Sequence, residues 1–269
     1  MKSSEAFSGI YATGLSGTIG RHLSAQIRPL ELDLAKPIEK NMIPEDLSTL
    51  IHLAGIVGEK IVLDDIEYAY QVNVVATLEL AKSLNLENLD RFLYVSTSHV
   101  YAPKVTDIAE EDPVGPIAEY PKQKLEAEES LKKVFSEYPE KLLIIRVFSV
   151  FGDDVADFTL GGLASRIAAG SSELIMNCDD IRDFLTPEQI AIGIEKVAKI
   201  KNISGIFNLC TGKPLSVSNV MRKYFNRINY PAEKYESQFR SGQSQTPRIV
   251  GSNSKLLKAV PELGNILSI

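Results

Sequence analysis

The chain has 269 residues, 44% of them hydrophobic, and a net charge of −6. This length suits one large α/β domain, or a nucleotide-binding domain with a smaller appended lobe. The acidic balance excludes the basic footprint of a nucleic-acid binder but still allows an anionic substrate, held by a few local arginines and helix N-termini.

The two cysteines, Cys178 and Cys210, have no metal-like spacing and read as core thiols of a reducing compartment. The first residues show no apolar signal-peptide core, and no run approaches the ~18 apolar residues of a membrane span. The expectation is a soluble, cytoplasmic protein with no membrane partner and no metal.

In chain order, Ala6 to Ala12 predicts a strand, and Thr18 to Ile27 a helix stopped near Pro29. LSTLIHLA at 47–54 predicts a second buried strand. Ile66 to Leu86 has helical periodicity, with Val72, Ala76, Leu80 and Leu84 on one face. Strands follow at Arg91 to Ser96 and Leu142 to Val147, separated by a helix from Ala118 to Glu137. This alternation of apolar strands and helices predicts a Rossmann-like, doubly wound parallel sheet. Later elements are helices near 158–170, 188–199, 217–226 and 254–260, and a strand at 205–209. Residues 229–250 read as loop. The expected division is a nucleotide-binding domain over 1–152, to which 185–212 returns. A smaller C-terminal substrate lobe covers 153–184 and 213–269.

TGLSGTIG places Gly14, Gly17 and Gly20 between a strand and a helix. A turn at Gly14, close backbone approach at Gly17 and helix–strand packing at Gly20 suit a dinucleotide pyrophosphate. Ser16, Thr18 and Ile19 complete that loop. Glu31 and Asp33 fall near the distance at which an acid holds a ribose 2′-hydroxyl, while Arg21 can meet a 2′-phosphate. The choice between NAD and NADP therefore stays open. The span from Gly20 to Asp33 is too short for a full helix and strand, which predicts a truncated second strand.

Tyr120 and Lys124 lie one helical turn apart on one face. An ammonium beside a phenol lowers its pKa, making Tyr120 a candidate acid/base. Thr97 lies in the cluster Ser96, Thr97, Ser98 at a strand end, beside His99. A hydroxyl there can bond a substrate oxygen while Tyr120 moves the proton. Arg182 and Arg248 are candidate diphosphate contacts. Arg146 reads as structural, and Glu126, Glu128, Glu129, Lys132 and Lys133 read as a solvated helix face.

In order along the chain, TGLSGTIG, LDLAK, IHLAG, NVVATLELAK, YVSTSHVYA, EYPKQKLEAE, IIRVFSVFG, IRDFLTPEQIA and FNLCTGKPLSV resemble motifs of the extended short-chain dehydrogenase/reductases of the NAD-dependent epimerase/dehydratase type. The resemblance covers nearly the whole chain. It implies an NAD(P)-dependent enzyme acting on a nucleotide sugar, with Thr97, Tyr120 and Lys124 catalytic. It also implies cofactor contacts from Asp33, Leu34, Leu53, Ala54, Gly55, Asn73, Ser96 and Val147, and substrate contacts from Ser98, His99, Arg182 and Arg248. Ala76 stands where the family's glycine is customary, and Asn253 where an Asp is usual. Members of the family often pair as homodimers through the 66–86 and 120–137 helices.

Ser98 and His99 replace the acid pair of the 4,6-dehydratases, and no Cys/His pair of a 3,5-epimerase-reductase is present. The short chain and truncated strand resemble nucleotide-sugar 4-ketoreductases such as the dTDP-4-dehydrorhamnose reductase type. A C4 epimerase with retained NAD is the alternative, and a non-catalytic NAD(P)-binding regulator a second one.

Overall fold

The computed structural model describes residues 9–153, 155–200 and 202–267. The first half contains β1 (Ile10–Thr13), β2 (Arg28–Pro29) and β3 (Thr49–His52), then α1 (Glu59–Asp64) and α2 (Ile66–Tyr70). A π-helical segment (Gln71–Val75) leads into α3 (Ala76–Ser83), followed by β4 (Arg91–Thr97), α4 (Glu119–Val134) and β5 (Leu142–Val147). The second half holds the two-residue strands β6 (Ser149–Val150), β7 (Ile181–Arg182) and β8 (Phe184–Leu185), with α5 (Leu160–Ala168) between β6 and β7. It continues with α6 (Pro187–Lys199), β9 (Gly205–Leu209), β10 (Leu215–Ser216), α7 (Val217–Arg227), β11 (Arg248–Ile249), α8 (Ser254–Ala259) and α9 (Gly264–Leu267).

Six parallel strands form the main sheet in the order β2-β1-β3-β4-β5-β9. Strand order reverses between β1 and β3, so a crevice opens there at the carboxyl edge, where ligands bind in doubly wound sheets. The strands are near-continuous apolar runs because both sheet faces are buried. Leu93, Val95, Leu143 and Ile145 meet Ile190 and Ile194 of α6 on one face. Phe92, Tyr94 and Ile144 meet Leu80 of α3 and Ala127 and Leu131 of α4 on the other. Val72, Ala76, Leu80 and Leu84 are all buried, as their period predicts.

The largest departure from the sequence reading follows Gly20. The expected helix over 18–27 is a single 3-10 turn, Gly20–His22. Leu23 leaves it in an extended conformation, the Ser24 amide donates to the Glu195 carboxylate of α6, and β2 begins at Arg28. The chain is too short here for both a helix and a return to the sheet. The second strand is truncated, as its length requires.

A separate hydrophobic cluster joins Phe151, Ile167, Ile175, Met221, Phe225 and Tyr235 from the 151–239 region. The 229–250 loop carries two 3-10 turns and β11, which pairs with β7. The C-terminal segment, assigned by sequence to the smaller lobe, packs instead on the main sheet through Leu256, Val260, Leu263 and Leu267. Both cysteines are buried free thiols. No helix among the described residues is long and apolar enough to cross a membrane, and no cluster of three metal-ligating side chains occurs among them.

Candidate active site

The carboxyl edge of the sheet collects the candidate residues. Thr13 lies opposite His52, and Thr97 opposite Val147. Gly14 has φ +74°, and a Cβ on it would lie 2.6 Å from the Ala54 nitrogen. A Cβ on Gly20 would lie 2.2 Å from the Gly14 carbonyl oxygen. Only bare backbone fits at these two positions. The Gly17 amide donates to the Gly14 carbonyl at 3.1 Å and the Arg21 amide to the Gly17 carbonyl at 3.1 Å. Ser16 and Gly17 stand exposed at the tip, with Thr18 and Ile19 half-buried behind them. This backbone cradle fits a phosphate group, but it does so without the helix N-terminus that the sequence suggested.

Below the cradle lies a buried polar chain. The Thr77 hydroxyl donates to the Asn73 carbonyl at 3.0 Å and so accepts from His52 Nε2, 2.9 Å away. His52 Nδ1 then accepts from the Thr13 hydroxyl at 2.7 Å, which itself accepts from the Ala54 amide. Full burial, reinforced by the Lys124 charge, pushes the His52 pKa down to about 3, so the ring is neutral. Asn73, in the π-helical segment, uses its whole amide in protein contacts. It accepts from the Ile56 amide and donates to the Ile56 carbonyl and to Gln123 of α4. It ties Ile56, in the segment after β3, to the helix that carries Tyr120. Leu34 is buried against Val72 and Ala76. Asp33 is exposed and paired with Lys36 at 2.9 Å.

Tyr120 and Lys124 share one face of α4, with Thr97 at the end of β4. Burial raises the Tyr120 pKa, correcting the expected drop toward neutrality. Lys124 is shifted by burial as well. Its Nζ sits 4.1 Å above the centre of the Tyr94 ring, and burial lowers its pKa to about 7 against the opposing pull of Glu128. The Thr97 hydroxyl accepts from the His99 amide at 3.3 Å.

Two other expectations change. Ser96 faces α4 rather than the crevice and donates to Glu128 at 2.5 Å. Glu128, read as part of a solvated face, is fully buried and accepts from Arg146 Nη2 at 2.6 Å and Nε at 3.1 Å. Arg146 is structural, and also lies 4.5 Å from the Tyr101 ring centre.

A cavity of about 280 Å³ opens past the end of β4, beside Ser98 and His99; Thr97, Tyr120 and Arg182 are not among its lining residues. Ser98, His99, Asn177, Gln243, Thr246 and Arg248 supply its polar lining. The Ser98 hydroxyl and Arg248 Nε are buried and have no partner among the described residues. His99 is open to the cavity, yet the surrounding protein and, secondarily, the Arg182 charge push its pKa down to about 4. Arg248 Nη2 bonds Asp107 at 2.5 Å. Arg182 pairs with Asp180 at 2.7 Å and reaches Thr246 at 3.5 Å. Asp183 is fully buried and accepts from the Thr211 hydroxyl and from the Thr211 and Gly212 amides, fixing the turn after β9.

The chain is similar to known proteins in both sequence and fold. A profile of the NAD dependent epimerase/dehydratase family matches residues 10–210. The chain is 25% identical to GDP-6-deoxy-D-mannose reductase of Pseudomonas aeruginosa, over 92% of this chain and 89% of that protein. It is 22% identical to a putative UDP-glucose 4-epimerase of Methanocaldococcus jannaschii, over 77% of this chain and 70% of that one. The fold superposes on RMD from Pseudomonas aeruginosa complexed with NADPH with a TM-score of 0.82 at 24% identity, covering 96% and 97% of the two chains. It superposes on UDP-glucuronic acid 4-epimerase from Bacillus cereus, in complex with UDP-glucuronic acid and NAD, with a TM-score of 0.81 at 18% identity, covering 96% of each. The match to the family over three quarters of the chain, on a sheet whose reversal point carries the glycine cradle, makes this chain an NAD(P)-dependent enzyme of the NAD dependent epimerase/dehydratase family.

Proposed function

We propose that this enzyme reduces a keto group, at C4, of a nucleotide-activated sugar. The observation that carries the reading is the placement of Tyr120, a half-buried phenol one turn from Lys124 on the same face of α4. A phenol there can hand its proton to the oxygen of a ketone as hydride reaches the carbon. The similarity to a sugar-nucleotide reductase over most of both chains supports the same direction.

When bound, the nicotinamide supplies the hydride. Thr97 orients the ketone oxygen, and Tyr120 delivers its proton to the alkoxide that develops there. Lys124, with a pKa of about 7, is acid enough to return a proton to the phenolate at neutral pH, and in this reading its ammonium holds the nicotinamide ribose. Ser98 and His99 face the sugar; Arg248 and Arg182 face the diphosphate. The cradle from Gly14 to Gly20 holds the cofactor pyrophosphate, with Asp33 and Leu34 toward the adenosine and Arg21 toward a 2′-phosphate. Asn73 acts at one remove, by holding Ile56 and Gln123.

The same proposal takes the 151–239 cluster as the core of the substrate lobe. It also includes a cytoplasmic setting, which the free thiols support, and a homodimer through α2, α3 and α4, which the exposed Ile66 and Tyr68 support. Light scattering tests the dimer. A C4 epimerase is the second reading, favoured by the epimerases among the similar proteins.

Acid denaturation of the purified enzyme decides between the two. Stoichiometric NAD in the supernatant supports the epimerase. Little cofactor, with reversible binding of NADPH or NADH and turnover of 4-keto nucleotide sugars, supports the reductase.

A further inference from the structure

The catalytic helix begins without a cap of its own. Ala118 occupies the N-cap position of α4, where a Ser, Thr, Asp or Asn side chain would ordinarily accept from the first free amides. Those amides can be accounted for one by one. The Lys122 amide donates to the Ala118 carbonyl at 3.3 Å. Pro121 has no amide hydrogen to satisfy. The remaining two, on Glu119 and Tyr120, both donate to one carboxylate that is distant in sequence. Glu59 Oε1 accepts from Glu119 at 2.9 Å and Oε2 from Tyr120 at 3.0 Å.

We infer that Glu59 is a positioning residue for Tyr120, and that it ties the helix carrying Tyr120 to the start of α1. Both of its oxygens are committed to the first turn of α4, one of them on the Tyr120 backbone itself. A carboxylate at a helix N-terminus is also favoured by the helix dipole. Glu59 opens α1 directly after Gly58, whose φ is +100°. Phe158 lies so close there that a Cβ on Gly58 would be 2.8 Å from its ring. Tyr120 is thereby fixed through one short run of chain that also touches the segment leading into α5. Loss of the carboxylate frees the Tyr120 backbone, and a displacement of about 1 Å at a reacting group costs on the order of 10²-fold in rate.

The inference rests on the proposed role of Tyr120, so its test has one arm that needs no substrate. Hydrogen exchange is measured on the full-length protein and on Glu59→Gln and Glu59→Ala. Glu59→Gln keeps the size of the side chain but offers a donor to one of the two amides, which guards against a variant that fails to fold. Exchange should rise at least about tenfold at Glu119 and Tyr120, while β4 and α6 keep their protection. Unchanged exchange there, or an equal rise throughout the chain, overturns the inference.

The second arm is turnover of 4-keto nucleotide sugars with NADPH or NADH. In Glu59→Gln, kcat should fall about 10–100-fold, with KM and cofactor affinity unchanged. The same substitution in a Tyr120→Phe background should add little, because the two act through one group. A full additional loss in that background counts against a role through Tyr120. If Tyr120→Phe alone retains full turnover, the general-acid reading fails, while the exchange arm still decides whether Glu59 holds the helix.

Discussion

The two halves of the crevice are built by opposite means. At the end of β1 the site is made by omission. Gly14 and Gly20 leave room for backbone to approach backbone, and the turn is closed by the Gly17 and Arg21 amides bonding carbonyls within it. At α4 the site is made by side chains, with Tyr120, Lys124 and Glu128 spaced along one helical face above a buried ion pair. In the first half Gly14 and Gly20 tolerate no added atoms, and the second half tolerates no lost partner. The cradle should therefore fail through sterics and cofactor affinity, and the helix face through proton transfer and buried charge.

Tyr120→Phe breaks the helix side most sharply. Turnover should fall about 10²–10⁴-fold, while NADPH or NADH still binds in a fluorescence titration. A variant that loses cofactor binding in proportion to turnover would mean the two halves are not separable. Glu128→Ala comes next. It leaves Arg146 charged and buried without its carboxylate, and Ser96 without its acceptor. Urea denaturation should show a loss of roughly 3–5 kcal/mol. Glu128→Met combined with Arg146→Leu should recover most of that loss, since the attraction largely offsets the cost of burying the two charges.

The same contrast explains what could be read from the sequence. The main sheet was legible because each strand buries both faces, so LYVS and LLIIRV are apolar throughout and α3 and α4 keep their period. That Tyr120 and Lys124 share one helix face was legible from their spacing, whereas the choice of Thr97 among three neighbouring hydroxyls came only from the resemblance to the family. The missing helix after Gly20 was concealed by a local pattern of glycines that is the same whether a helix or one 3-10 turn follows. Only the distance to Arg28 decides, and that depends on where the sheet accepts the next strand. Ser96 and Glu128 were misassigned for a similar reason. A Glu amid other charges on a helix reads as solvated unless one knows that Arg146 emerges from β5 beneath it. Glu59 left a fainter signal: Ala118 is a poor cap and Pro121 follows it, so the helix needs an acceptor from elsewhere.

On the cradle side, Gly14→Ala should cost roughly 1–3 kcal/mol of stability. Its φ is +74° and the new methyl meets the Ala54 backbone, which cannot give way. Gly17→Ala sharpens the distinction. Its Cβ would meet only the Gly14 carbonyl oxygen, at 3.3 Å, so stability should change by less than about 0.5 kcal/mol. Cofactor affinity should still drop, because the methyl projects at the exposed tip. Equal destabilisation by both substitutions, in thermal melts without cofactor, would show that the turn is held by strain alone and is not shaped to its ligand.

The smallest effect lies where side-chain charge and stability oppose each other. Burial over Tyr94 lowers the Lys124 pKa to about 7 from an ordinary 10.5, so the folded state binds this proton less readily than the unfolded chain. Below pH 7 the ammonium is charged in both states, and the native protein bears the whole cost of desolvating it. Between pH 7 and about 10.5 the unfolded chain holds a proton that the folded one has released, so stability rises with pH across that window. Lys124→Met removes the titration. The variant should be more stable than the parent at pH 6, by roughly 1–3 kcal/mol, and the gap should close as pH approaches 10. It should also be nearly inactive. A residue that costs stability at working pH and is needed for turnover is there for its chemistry. If Lys124→Met instead destabilises the fold at pH 6, the attraction to Glu128 outweighs desolvation and the lysine belongs to the structural ion pair beneath it.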